Sequence, residues 1–209
     1  MITLMPRYKK ALILLMMLLL GACQTAPKNV DDGLEIFNPD FFAAQYQQRS
    51  DNHSWSLKGV FSFANAVENA NGKVFWDQAD GDTKIQLFGP LGVGSVTLDV
   101  RPGIASMQQG KKKYSAPNSD ELMLKVLGWK MPLESLNYWL YGLAAPDQKA
   151  RYRSGEKGEI VELSQSGWVI RFKQYRQVDG FSLLMPRKIF ATHAETETDV
   201  RLVVKTLLR

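Results

Sequence analysis

The sequence predicts a mainly β (α+β) fold: a curved antiparallel sheet, or incomplete barrel, of about eleven strands with three helices on one side. Three observations predict it. Apolar and polar residues alternate with period two in many short runs. The connections between those runs are too short for parallel crossovers. The helical patterns are gathered near the start and in the middle of the chain, so they cannot be the crossovers of βαβ units. Of the 209 residues, 45% are hydrophobic and 22% charged, which is ordinary globular usage and excludes a collagen, a disordered chain and a multi-span membrane protein. A single cysteine forms no internal disulfide, and with two histidines it supplies too few nitrogen or sulfur ligands for a zinc site.

Residues 1–22 read as a secretory leader: a basic start through Lys10, an apolar run from Ala11 to Leu20, then Gly21 and Ala22. The run is shorter than the roughly 20 residues a helix needs to span a bilayer. Leu20-Gly21-Ala22-Cys23 resembles the bacterial lipobox, which implies cleavage before Cys23 and acylation of that residue. Three acyl chains would hold the mature protein to its membrane, since one chain anchors only marginally and two already hold firmly. Gln24 stands where an aspartate would mark inner-membrane retention in many Gram-negative lipoproteins, so the resemblance implies an outer-membrane address. The formal charge of +5 falls to +2 once Arg7, Lys9 and Lys10 are removed from the 26 basic residues set against 21 acidic ones, which takes away the case for nucleic acid.

Residues 23–37 are polar and aperiodic and read as a tether, with the folded domain expected over 38–209. Asn38-Pro39 starts a short helix running to about Ser50. The clearest strand follows, where Trp55, Leu57, Gly59, Phe61 and Phe63 alternate with Ser56, Lys58, Val60 and Ser62. Strands at 72–78, 83–88, 95–101, 104–109 and 112–115 come next, separated by turns such as Ala79-Asp80-Gly81-Asp82. Ser119, Asp120 and Glu121 cap a second helix that Gly128 ends, and Pro132 opens a third carrying Leu133, Leu136, Trp139 and Leu140 on one face. Strands resume at 150–154, 158–164, 167–175, 185–192 and 199–207.

The inner face of such a sheet collects Trp55, Leu57, Phe61, Phe63, either Trp76 or Phe75, Ile85, Leu87, Val96, Leu98, Val100, Trp168, Ile170, Phe172, Val200, Leu202 and Val204. Parity assigns these residues to a face. It does not separate a filled core from a greasy hollow, because a barrel of about eight strands or more has room for either. One local feature stands out: Phe88-Gly89-Pro90-Leu91-Gly92-Val93-Gly94 is a turn whose tip carries Leu91 and Val93 instead of Asn, Asp or Ser. Leu91 either folds back into the core or is exposed and dips into lipid, where a buried side chain contributes roughly 1.5 to 3 kcal/mol.

Other signals are bland. His53 and His193 lie far apart without a GxSxG or HExxH motif, and no phosphate-binding GxxxxGK[ST] occurs, so catalysis and nucleotide use have no local support. Asp80 with Asp82 and Glu195 with Glu197 sit in polar segments that read as loops and surface strands, and neither pair suggests acid/base work. Lys111-Lys112-Lys113, beside Tyr114, reads as a solvated turn that could also attract an acidic carrier or lipid headgroups.

The lipobox cysteine, WSLKGVFSF, FGPLGVG, NSDELMLKVLGW and PLESLNYWLYGL, in this order, resemble the LolB family of outer-membrane lipoprotein receptors. The resemblance implies an eleven-stranded half-open β-barrel with three helices as a lid over a hydrophobic cavity. It also implies a transfer factor that is no enzyme and uses no cofactor. As a monomer anchored at Cys23 with its domain in the periplasm, it would take lipoproteins by their acyl chains from the periplasmic carrier LolA and insert them among outer-membrane lipids. Its acyl-chain cavity would be lined by Trp55, Leu57, Phe61, Phe63, Trp76, Leu87, Leu98, Trp139, Trp168, Ile170 and Phe172, and Pro90, Leu91 and Val93 would form its membrane-insertion loop. The competing readings are a lipid-anchored module that binds a free hydrophobic ligand, and a structural outer-membrane lipoprotein with a filled core.

Overall fold

The computed structural model describes residues 33–90, 94–128, 131–146 and 148–209, and Cys23, Leu91 and Val93 lie outside the described residues. The folded body runs from Leu34 to Arg209. Every expected strand is present: β2 (Trp55–Ala64), β3 (Asn69–Ala79), β4 (Asp82–Phe88), β5 (Ser95–Arg101), β6 (Ile104–Gln109), β7 (Lys112–Ala116), β8 (Ala150–Ser154), β9 (Ile160–Gln165), β10 (Trp168–Arg176), β11 (Met185–His193) and β12 (Thr198–Leu208). A short β1 (Glu35–Ile36) precedes them. They form one antiparallel sheet in the order β1-β8-β9-β10-β11-β12-β2-β3-β4-β5-β6-β7, whose outer strands β1 and β7 do not pair. The sheet is therefore open, a half-barrel whose last strand, β12, joins its two halves by pairing with β2.

At that join the register slips between Val204 and Thr206. The bulge brings β12 so close to β2 that a Cβ on Gly59 would lie 2.5 Å from the Val203 carbonyl oxygen. Extra local twist of this kind bends the sheet. A second close approach lies nearby on β3, where a Cβ on Gly72 would collide with the Phe88 carbonyl oxygen.

The boundary expected at residue 38 moves back. Glu35 pairs with Tyr152, and Phe37 stacks on Phe42 at 5.0 Å and meets Tyr152 edge-on at 5.7 Å. Two strand residues and one aromatic anchor are too few to show a period, so the sequence reads them as tether.

A 3₁₀ turn (Pro39–Phe42), capped by the Asn38 side chain accepting from the Asp40 amide, leads into α1 (Ala43–Asp51). The second helix, α2 (Ser119–Leu127), is capped by Asn118 where the sequence suggests Ser119. Asn118 has extended φ/ψ and accepts from the Glu121 amide, while Glu121 accepts from the Asn118 side chain in return, a reciprocal cap. Gly128 ends the helix at φ +79. The third helix, α3 (Leu133–Trp139), buries Leu133 and Trp139.

Buried Gln48 on α1 bonds to Met185, Ser182 and Leu183, tying that helix to the segment before β11. Tyr46 donates to the Ala144 carbonyl and Arg49 lies over the Tyr138 ring, which ties α1 to α3 and the chain that follows it.

Candidate functional site: an apolar hollow under the helices

Between the inner face of the sheet and the helices α2 and α3 lies a cavity of about 710 Å³. Ligand pockets occupy roughly 300–1,000 Å³, so the space is of a size to hold a ligand. Its sheet wall is made by Phe61 and Phe63 of β2, Trp76 of β3, Leu87 of β4 and Leu98 of β5. Met123 of α2 and Leu136 and Trp139 of α3 form the opposite wall. Polar residues occur mainly where the sheet turns, among them Glu68, Asn69, Asn71 and Gln109.

Gly89, Pro90 and Gly94 also line the hollow. The Gly89 amide donates to the Gly94 carbonyl at 3.0 Å, so the two ends of this segment meet at the edge of the cavity. Gly72, lacking a side chain, lets β3 pass directly against that segment.

Of the residues singled out in the sequence, Phe61, Phe63, Trp76, Leu87, Leu98, Trp139 and Pro90 stand on the cavity wall. Trp55, Leu57, Trp168, Ile170 and Phe172 do not; they are buried in packed core. Trp55 packs on Trp76 with ring centroids 5.4 Å apart, and Trp168 lies 5.9 Å from Trp139 and 5.2 Å from His193. The strand residues of both groups share the inner face. What differs is what covers that face.

Over β9 and β10 the chain following α3 packs down, with Leu143 and Ala144 fully buried, whereas over β2 to β6 the helices leave room. Buried Gln165 of β9 holds this covering in place: it receives the Trp139 indole N–H at 3.3 Å and the Ala145 amide at 2.9 Å, and donates to the Ala145 carbonyl at 2.8 Å. The choice at the third strand resolves as Trp76 inward, with Phe75 outside against Phe88 and below Lys58.

Sequence reasoning missed Gln165 and Gln48 as anchors and Met107 and Met131 as wall residues. The methionines carried a usable signal, since this unbranched, polarizable side chain suits an adaptable apolar surface. The glutamines carried none.

Burial pushes the Tyr46 hydroxyl up to about 12, helped by Tyr138 and opposed by Arg49, and burial likewise raises Tyr141 to about 12. The Tyr46 hydroxyl braces α1 against the chain after α3, Tyr141 packs against the Phe181 ring, and neither lines the cavity. The wall offers greasy contact, and its chemistry is that of sheltering an apolar chain from water.

The family model "Outer membrane lipoprotein LolB" matches residues 53–206. The chain belongs to the LolB family. LolB proteins are lipoprotein-localisation factors, and theirs is not a known enzyme family. Similar relatives include the outer-membrane lipoprotein LolB of Pseudomonas fluorescens strain Pf0-1, 34% identical over 81% of each chain, and that of Chromohalobacter salexigens, 29% identical over 87% of this chain and 83% of the relative. Among solved structures, a DUF1329 family protein from Desulfovibrio piger superposes with a TM-score of 0.50 at 9% identity, covering 81% of this chain and 90% of that one, a likeness of fold alone. The LolB match spans the strands and helices that build the hollow.

Proposed function

We propose that this chain receives lipoproteins from the periplasmic carrier LolA, shelters their acyl chains in the hollow beneath α2 and α3, and releases them into the outer membrane. The observation that carries this reading is the 710 Å³ apolar cavity with the Gly89–Gly94 loop at its edge. Burial is worth about 0.8 kcal/mol per methylene, so a sixteen-carbon chain is held by roughly 12 kcal/mol against escape into water. A hand-over must therefore run from one apolar site directly to another. No nucleotide is used at this step, and direction comes from graded affinities of carrier, receptor and bilayer. Acylated Cys23 holds the domain at the periplasmic face of the outer membrane, and Leu91, with Val93 beside it, perturbs the leaflet that accepts the cargo.

The test uses the mature chain with Cys23→Ala. It should bind a fluorescent fatty acid and take an acylated lipoprotein from LolA without ATP. Binding of the probe without acceptance of a lipoprotein would make the protein a ligand-binding module, and failure of both would make it a structural lipoprotein. In cells, Cys23→Ala should move the protein from the membrane fraction to the soluble periplasm.

A further inference from the structure

Phe61 and Phe63 of β2, Val74 of β3, Ile189 of β11 and Leu202 of β12 line the hollow, so the residues alternating with them stand on the back of the sheet. The strand register aligns a row of these. Lys173 stands opposite Lys188, Lys188 opposite Val203, Val203 opposite Val60, and Val60 opposite Lys73. In the next row Lys58 pairs with Phe75 on β3 and Thr206 on β12, and exposed Lys205 is the extra residue of the β12 bulge.

The charge of this face has one sign. Lys58, Lys73, Lys173, Lys188 and Lys205 form no ion pair among the described residues, and no acidic residue stands in these two rows between β10 and β3. They sit on a chain whose net charge without its leader is only +2. Like charges directly across a ladder weaken a sheet, and Lys173 with Lys188 is such a pair. The face is also partly apolar. Val60 is 38% exposed at its centre, and the half-buried Phe75 and Phe190 rings lie 5.9 and 5.5 Å from the Lys58 and Lys173 ammonium groups. A surface kept only for solubility mixes both signs and avoids such a centre.

We propose that this back face, centred on Val60, is a docking surface for an anionic phospholipid bilayer, on which the domain lies with its helices and hollow turned away from the lipid. The chain belongs to a family of outer-membrane lipoproteins, which sets a bilayer beside it. Lysines around a valine match phosphates around an apolar interior. The hollow is on the other side of the sheet, so the back presents a broad charged face to a planar surface and no socket for a shaped partner. In this posture the hollow stays open to an arriving carrier, an order of events that rests on the delivery reading above.

The mature chain with Cys23→Ala and Val60→Cys has a single thiol, to be labelled with an environment-sensitive dye and mixed with vesicles of phosphatidylethanolamine and phosphatidylglycerol. Its emission should shift to the blue and be quenched by brominated lipid. The same dye at Leu124→Cys, exposed on α2 on the helical side, should stay in water. Vesicles with phosphatidylcholine in place of phosphatidylglycerol should give no shift at position 60. Without a label, Lys173→Glu should weaken binding to the anionic vesicles at least tenfold, since each lysine near such a leaflet counts for roughly a factor of five. Its unfolding midpoint should not fall, because the variant turns the like pair with Lys188 into an opposite one. The docking face is refuted if position 60 stays in water, if neutral vesicles give the same shift, or if Lys173→Glu binds as tightly as the unchanged chain. Acceptance of a lipoprotein from LolA, measured without vesicles, then still decides the delivery reading. A shift at position 60 with no lipoprotein accepted would keep the docking face and sink that reading. A response at position 60 to soluble LolA, with none to vesicles, would make the back a protein-docking face and overturn the proposal.

Discussion

The indole N–H of Trp139 donates to the Gln165 side chain at 3.3 Å, and the same amide group closes two further bonds with Ala145. One buried glutamine on β9 thus holds the end of α3 and the chain beyond it against the sheet. Trp139 is at once a member of this network and a wall of the hollow.

Replacing that glutamine by an apolar residue of similar size should therefore cost more than a cavity term. Gln165→Leu strands the Trp139 indole and both backbone groups of Ala145 away from water, at about 1–3 kcal/mol for each unsatisfied group. A loss of about 3 kcal/mol or more in urea unfolding is expected, together with weaker retention of a fatty-acid probe. A loss below 1 kcal/mol, on the scale of about one ordinary net hydrogen bond, would show that water replaces the glutamine there.

Leu87 faces the hollow from β4 and is only partly buried. Leu87→Trp should fill part of the space that an acyl chain would take, because no neighbouring side chain already occupies it. Fatty-acid binding measured by fluorescence should fall at least tenfold, with unfolding free energy changed by less than about 1.5 kcal/mol. A large loss of stability instead would mean that the space is occupied by protein in solution.

Leu91→Glu separates loading from delivery. The variant should accept cargo from the carrier at the normal rate and fail to pass it to liposomes, since a charged side chain resists entry into hydrocarbon. Delivery at the wild-type rate would deprive the loop of its proposed membrane role.

Tyr46 predicts a pH dependence. Its hydroxyl, donating to the Ala144 carbonyl, is raised by burial from 10.0 to about 12, so the folded state holds a proton that the unfolded chain releases. The contribution is present below pH 10 and is lost as pH climbs from 10 toward 12. Tyr46→Phe should flatten the alkaline fall in stability, and Tyr141, raised likewise, accounts for a share that remains. An unchanged slope between those pH values, read from denaturation midpoints and tyrosinate absorbance, would contradict the assignment.

Much of the architecture was legible because β-strands write their pleat into the chain. Trp55 to Phe63 alternate without interruption, and the register of β2 with β3 and β12 follows from putting that apolar set on one side. Gly128 and Pro132 marked a helix end and a helix start for steric reasons that any neighbouring residue would obey. Phe37 and Glu35 were illegible, because their partner Tyr152 lies far away in sequence. Asn118 and Ser119 are both good caps, and only the extended backbone at Asn118 distinguishes them.

The sequence by itself determined the strands, their sides, the helices and the apolar-tipped loop, since each is set by steric and solvation preferences acting over a few residues. Which inward residues face a hollow and which are packed was decided by tertiary structure alone. Leu87 and Ile170 share one face of one sheet, yet Leu87 looks into open space while Ile170 is fully buried in packed core. The difference is how the helices and the segment after α3 are held over the sheet, and residues distant in the chain, Gln48 and Gln165 among them, set that placement through bonds that local patterning does not encode.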